Sequence, residues 1–96
     1  MKAEIHETKA AEKGLMKAPP QVIRSYEIWA RLVEEHGIAI LREFRGYNDE
    51  KLFGEWQGHR SSRLNKQWRV IYKVDPNKNI QIITVVRVTA HDYRRK

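Results

Sequence analysis

Apolar residues recur with helical spacing in the first third of the chain and with a period of two in the last third. Lys2 to Glu7 alternates weakly around Ile5 and reads as a short edge strand. Thr8 is suited to cap a helix running through Ala10, Ala11 and Leu15. Pro19 and Pro20 forbid its continuation, while Pro20 fits the first turn of a following helix, where an unbonded N–H is not missed. In that second helix Val22, Tyr26, Trp29 and Val33 fall at i, i+4, i+7 and i+11, one apolar stripe broadened by Ile23 and Ala30. Glu27, Arg31, Glu34 and Glu35 take the wet side, Gly37 is placed to end the helix, and Ile38 to Phe44 can add one or two turns.

From Gly46 to Gly58 the composition is that of a loop. Beyond it Trp68, Val70, Tyr72 and Val74 share one face of a strand and Arg69, Ile71 and Lys73 the other. Arg60–Leu64 is expected to pair with it through the Asn65-Lys66-Gln67 turn. Asp75-Pro76-Asn77-Lys78-Asn79 reads as another turn, and Ile80 to Thr89 as a long, β-branched strand inside the sheet. Ala90 to Lys96 forms an exposed basic tail. The expected class is α+β: a β-α-α-β-β-β order, with two N-terminal helices packed on a small antiparallel sheet. Ninety-six residues suit a single domain, 1–96, with one modest core.

Charge sharpens this outline. The net charge of +7 is uneven: residues 1–55 carry nine Lys/Arg against ten Asp/Glu, whereas residues 56–96 carry ten against two. A one-sided cationic field attracts polyanions, with nucleic acid or an acidic protein as candidates. With no cysteine, and with His6, His36, His59 and His91 dispersed, neither a disulfide framework nor a local metal-ligand pattern is written into the chain, and no metal or cofactor is expected. No apolar run is long enough to span a bilayer and no secretory leader pattern is present, so the cytoplasm is the expected compartment.

Phosphate-loop, nucleophile-elbow and paired metal-carboxylate motifs are absent. What remains is a convergence of Arg, His, Tyr and acid. Arg63, Arg69 and Arg87 come from three strands, and His91 and Tyr93 follow the last. Cleavage of RNA by internal attack requires a group to take the 2′-hydroxyl proton, cations for the phosphorane charge, and an acid for the departing 5′-oxygen. His91 suits the acid because imidazole titrates near neutrality. Tyr93 suits stacking on a splayed base or positioning of the phosphate. Arg60 and Arg63 must point to opposite faces of one strand, so only one can address a given groove, and Arg63 is favoured. Glu50 and Glu55 are the acids near enough to accept a proton. His59, Arg60, Lys66, Arg87, Arg94 and Arg95 complete the candidates for RNA contact. Trp56 and Trp68 are expected in the core rather than as base-stacking platforms.

The run Gly54-Glu55-Trp56-Gln57-Gly58-His59-Arg60-Ser61-Ser62-Arg63-Leu64-Asn65-Lys66-Gln67-Trp68-Arg69-Val70-Ile71-Tyr72, with Val88-Thr89-Ala90-His91-Asp92-Tyr93-Arg94, resembles the RelE/ParE superfamily of bacterial toxins, on its RelE-like side. The resemblance implies a metal-independent, ribosome-dependent endoribonuclease of messenger RNA, held inactive by a cognate antitoxin that wraps the sheet or the helices. It places Arg63 at the scissile phosphate, Arg69 where RelE-like members carry an arginine before Val-Ile-Tyr, His91 as the tail acid, Tyr93 as the following aromatic residue and Glu50 as the YoeB-like general base. The strand lacks the lysine pair of RelE itself, and Trp68 stands where Tyr or His is common. The alternatives are a ParE-like inhibitor of DNA gyrase on the same fold, for which His91 would be dispensable, and a non-catalytic module whose basic sheet binds RNA or an acidic protein.

Overall fold

In the structure, a computed structural model that describes residues 2–76 and 80–91, five strands and two helices form an α+β layer. The elements are β1 (Ala3–Glu7), α1 (Lys9–Lys17), α2 (Pro20–His36), β2 (Glu50–Lys51), β3 (Arg60–Arg63), β4 (Arg69–Pro76) and β5 (Gln81–Thr89), with short 3₁₀ turns at Ile38–Glu43, Arg45–Tyr47 and Gly54–Trp56. The sheet order is β1-β5-β4-β3-β2. Residues 77–79 of the expected turn after β4 lie outside the described residues. No helix among the described residues is long and apolar enough to cross a membrane.

The helix boundaries follow the capping chemistry. Thr8 Oγ1 accepts the Ala11 N–H at 3.1 Å and donates to the Val86 carbonyl at 2.9 Å, so one hydroxyl both starts α1 and ties it to β5. Pro20 opens α2 and Gly37 closes it at φ 82°, a backbone angle that glycine adopts at least cost, with its N–H on the Val33 carbonyl at 2.7 Å. Val22, Tyr26, Trp29 and Val33 are all buried, as the stripe predicts. They meet Val70, Tyr72, Ile83, Val85 and Val88 from the sheet, and Trp68 and Val74 pack at the margin. Alpha-1 approaches so closely at Gly14 that a Cβ there would sit 2.0 Å from the Val88 carbonyl oxygen.

Two features differ from the sequence expectation. The sheet is mixed, because β1 pairs with β5 in parallel, Ala3 with Gln81 through Glu7 with Val85. A chain that leaves β1 into two helices returns to the sheet through the antiparallel hairpin of β3, β4 and β5, and its last strand lands alongside the first in the same direction. The segment read as loop also contains β2, whose Glu50 pairs with Ser61 and Lys51 with Arg60. Two residues are too few to leave a period-two signal.

Candidate functional site

Strand alternation sends Val70, Tyr72 and Val74 toward the helices, so Arg69, Ile71 and Lys73 occupy the opposite face. Register fixes their neighbours. Arg63 pairs directly with Arg69, and Arg69 with Thr89; one step along, Ser61 pairs with Ile71 and Ile71 with Arg87. Glu50 extends this second row from β2 through its pairing with Ser61. Directly paired Cα atoms stand about 4.5–5.5 Å apart. The helix-free face therefore gathers Glu50, Arg63, Arg69 and Arg87 into a patch four strands wide.

Arg87 reaches that face only because β5 carries an irregularity. Ile71 pairs with Arg87 and Tyr72 with Val85, which leaves Val86 without an opposite residue. Ile83 and Val85 face the core at odd positions, whereas after the bulge Val88 faces it at an even one. With unbroken alternation Arg87 would have pointed at the helices. Re-aiming a side chain is the usual consequence of a bulge. The Arg87 guanidinium lies 5.7 Å from the Trp56 ring centroid, and Trp56 meets His59 edge-on at 5.0 Å. Trp56, expected in the core from the sequence, is not a core residue; it lies over part of the cationic face, while Trp68 packs against the helix-side core as expected.

The candidate residues are not equally available. Arg69 is only 5% exposed, and its Nη1 donates to the Ser61 hydroxyl at 3.3 Å. It stands beneath the surface as a fixed positive charge more than as an open claw. Arg63 is half-buried, and its Nε, a buried atom, has no hydrogen-bond partner among the described residues. His91 is exposed, and its backbone N–H bonds the Thr89 hydroxyl at 3.0 Å, which ties the start of the tail to the end of the Arg63–Arg69–Thr89 row. His59 shares the face with Ser61 by alternation, and its Nδ1 is a buried atom without a partner among the described residues. Lys66 is exposed in the turn between β3 and β4, and Glu55 is exposed in the 3₁₀ turn beside Trp56. Tyr93, Arg94 and Arg95 lie outside the described residues. Among the described residues no three His, Asp or Glu side chains gather as a metal site.

Arg60 goes elsewhere. It faces the helix side with Tyr72, and its Nε donates to Asp49 at 2.7 Å. Asp49 also accepts from the Ser62 hydroxyl and the Tyr72 phenol, both at 2.6 Å, and Ser62 in turn accepts the Trp29 indole N–H at 3.0 Å. Burial alone would lower the Arg60 guanidinium, but the hydrogen bond and charge of Asp49 outweigh it and the net shift is upward. Burial pushes the Tyr72 phenol well above its ordinary value, Asp49 adds to the rise, and Arg60 opposes it. This buried network joins α2, β3 and β4 to the residue immediately before Glu50. Asn48 lies in the left-handed region at φ 43°, just before Asp49 turns to the helix side and Glu50, half-buried with its Oε2 a buried atom, to the other face. Sequence reasoning missed Asp49, because a carboxylate in a polar loop carries no mark of the three donors that converge on it from distant strands.

No protein-family model and no curated protein sequence matches the chain significantly. Solved structures do match. A YoeB/ParE toxin from Agrobacterium tumefaciens superposes with a TM-score of 0.71 at 19% identity, covering 96% of this chain and 100% of its own. YafQ from E. coli strain BL21(DE3) gives 0.71 at 17%, with 92% of each chain covered. A heterotetrameric YoeB-YefM toxin-antitoxin complex from Staphylococcus aureus gives 0.69 at 18%, covering 96% and 100%. The fold of this chain is that of the RelE-like toxins.

Proposed function

We propose that this chain is the toxin of a type II toxin–antitoxin pair, a metal-independent endoribonuclease that cuts messenger RNA on the ribosome and so inhibits translation. The observation that carries the reading is the direct cross-strand pairing of Arg63 with Arg69, on the face that also bears Glu50 and Arg87. Like charges placed opposite one another destabilise a sheet. Their juxtaposition on a face left bare of helices is accounted for by an anion that Arg63 touches and the buried charge of Arg69 backs. The fold likeness to YoeB and YafQ supports the same reading, and the S. aureus complex supports a cognate antitoxin as partner.

The chemistry assigned to the site is internal transfer. The Glu50 carboxylate takes the proton of the 2′-hydroxyl, and the freed oxygen attacks the adjacent phosphorus. Arg63, backed by the fixed charge of Arg69, holds the additional negative charge of the phosphorane. The 5′-oxygen departs with a proton from the His91 imidazolium, leaving a 2′,3′-cyclic phosphate and a 5′-hydroxyl. Positioned acids and bases of this kind contribute roughly 10²–10⁴-fold each. Arg87, steadied by Trp56, together with His59, Lys66 and the tail residues Arg94 and Arg95, supplies attraction along the RNA, and Tyr93 packs a base or the phosphate. Arg60 is not part of this site, since Asp49 claims it on the other face. The toxin acts as one domain in the cytoplasm.

Brief induction of the chain alone, followed by mapping of RNA 5′ ends, tests the proposal. New ends within translated frames, lost in His91→Gln, are expected. Growth arrest with intact messenger RNA and halted replication would replace it with the gyrase-directed reading that the ParE half of the A. tumefaciens toxin's name leaves open.

A further inference from the structure

At Ser62 and Arg63 the strand β3 is no longer covered by β2, which pairs only with Arg60 and Ser61. The 3₁₀ turn at Arg45–Tyr47 lies there instead, and between it and α2 runs a groove of about 600 Å³. Ile28, Phe44, Tyr47 and Leu64 supply its apolar lining, with Arg45, Arg63 and Glu43 as its charged residues. The volume falls in the range of about 300–1,000 Å³ in which proteins hold small ligands. Two features distinguish it from an ordinary surface dent. Phe44 is 45% exposed although it is aromatic, with its ring set edge-on to Tyr47 at 6.1 Å between centroids. Arg63 belongs both to this groove and to the cross-strand pair on the cationic face, and its buried Nε has no partner among the described residues.

The geometry points to this groove as a subsite for one unpaired nucleobase of the RNA whose phosphate Arg63 holds, with Phe44 as the stacking surface. The assignment rests on the nuclease reading above for the identity of the polymer, and on the groove alone for the place of the base. Every base offers a π-face, so an aromatic ring beside a phosphate-binding arginine suits single-stranded RNA of any sequence. Tyr47 is protonated at ordinary pH as any phenol is, burial raises it further, and its hydroxyl can donate to a base edge. Two cations, Arg45 and Arg63, line the groove against one carboxylate, Glu43, and the balance of charge complements a nucleotide's phosphate. A globular partner covers about 20–30 residues a side, whereas nine line this groove.

Titrating the full-length protein with a trinucleotide bearing 2′-O-methyl groups, which cannot be cleaved, tests this directly by NMR. Binding should move the ring signals of Phe44 and Tyr47 and the Nε–H of Arg63. Phe44→Ala should weaken binding by about 5- to 150-fold, the loss found when one stacked base is released. Phe44→Tyr should restore it, and Met16→Ala, in α1 outside the groove lining and 84% exposed, should change nothing. Signals moving only on the sheet face, with equal affinity for Phe44→Ala, would overturn the subsite while leaving the nuclease reading intact. Absence of any shift at millimolar trinucleotide would also overturn it. Loss of antitoxin binding in Phe44→Ala with RNA affinity unchanged would make the groove a protein-docking surface instead. Groove binding by a protein that leaves translated messenger RNA uncut would uphold the subsite and reject the nuclease.

Discussion

Replacing Asp49 with Ala removes the acceptor on which three donors converge. Tyr72 and Ser62 are both 0% exposed, so neither hydroxyl can turn to water for compensation. A buried donor left without an acceptor costs about 1–3 kcal/mol. Arg60, 22% exposed at its side chain, recovers some hydration and loses less. The sum is a destabilisation of about 3–5 kcal/mol, the range seen when one partner of a buried ion pair is removed. Against the ~5–15 kcal/mol that holds a typical domain together, that is a large share. Urea unfolding followed by tryptophan fluorescence is the assay, since Trp29 reports from inside the network through its bond to Ser62. Tyr72→Phe sharpens it. In the wild-type background this change should cost about 1 kcal/mol, whereas in Asp49→Ala it should be neutral or stabilising, because it removes the stranded phenol. Additive losses, or a loss below about 1 kcal/mol for Asp49→Ala, would mean that the carboxylate does not organise these strands.

Gly14→Ala should lower stability by about 1–3 kcal/mol despite alanine's better helix propensity, because its Cβ meets the Val88 carbonyl and α1 must back away; Gly46→Ala, with open space around it, should be harmless, and paired urea midpoints check both. Alkaline pH should also unfold the protein. Burial and the charge of Asp49 hold the Tyr72 phenol above its ordinary value, so the folded state keeps its proton where the unfolded chain loses it. The associated stability is complete below about pH 10 and then falls by about 1.4 kcal/mol per pH unit, readable as a slope in unfolding free energy; a flat profile to about pH 11 would contradict it. Arg69→Gln should weaken RNA cleavage while altering the apparent RNA affinity less than Arg63→Gln does, because only Arg63 is open enough to touch the phosphate; equal losses of affinity would refute this ordering.

The helices were legible because their information is local. Thr8, Pro20 and Gly37 mark ends through backbone chemistry that acts within a turn, and the stripe from Val22 to Val33 marks one buried face. The faces of β3 and β4 were equally legible, since alternation alone separates Arg63 and Arg69 from Arg60 and Tyr72. What escaped was set by pairing between distant segments. Parallel docking of β1 on β5 depends on where the chain returns after two helices. The bulge at Val86 is invisible in a run of β-branched residues, yet it decides which way Arg87 points. Trp56 looks like core by size alone, and its place over Arg87 follows from that same bulge. Arg60 looked like an RNA contact because its charge was legible and the Asp49 that absorbs it was not.

If Glu50, Arg63 and His91 act on one phosphodiester, the chemistry of the cut ends will show it. Purified protein added to ribosomes translating a defined message should yield fragments ending in 2′,3′-cyclic phosphate, with 5′-hydroxyl partners. Glu50→Gln and His91→Gln should each slow the appearance of those ends by roughly 10²–10⁴-fold. Fragments carrying 5′-phosphates, or undiminished cutting by both variants, would contradict the account.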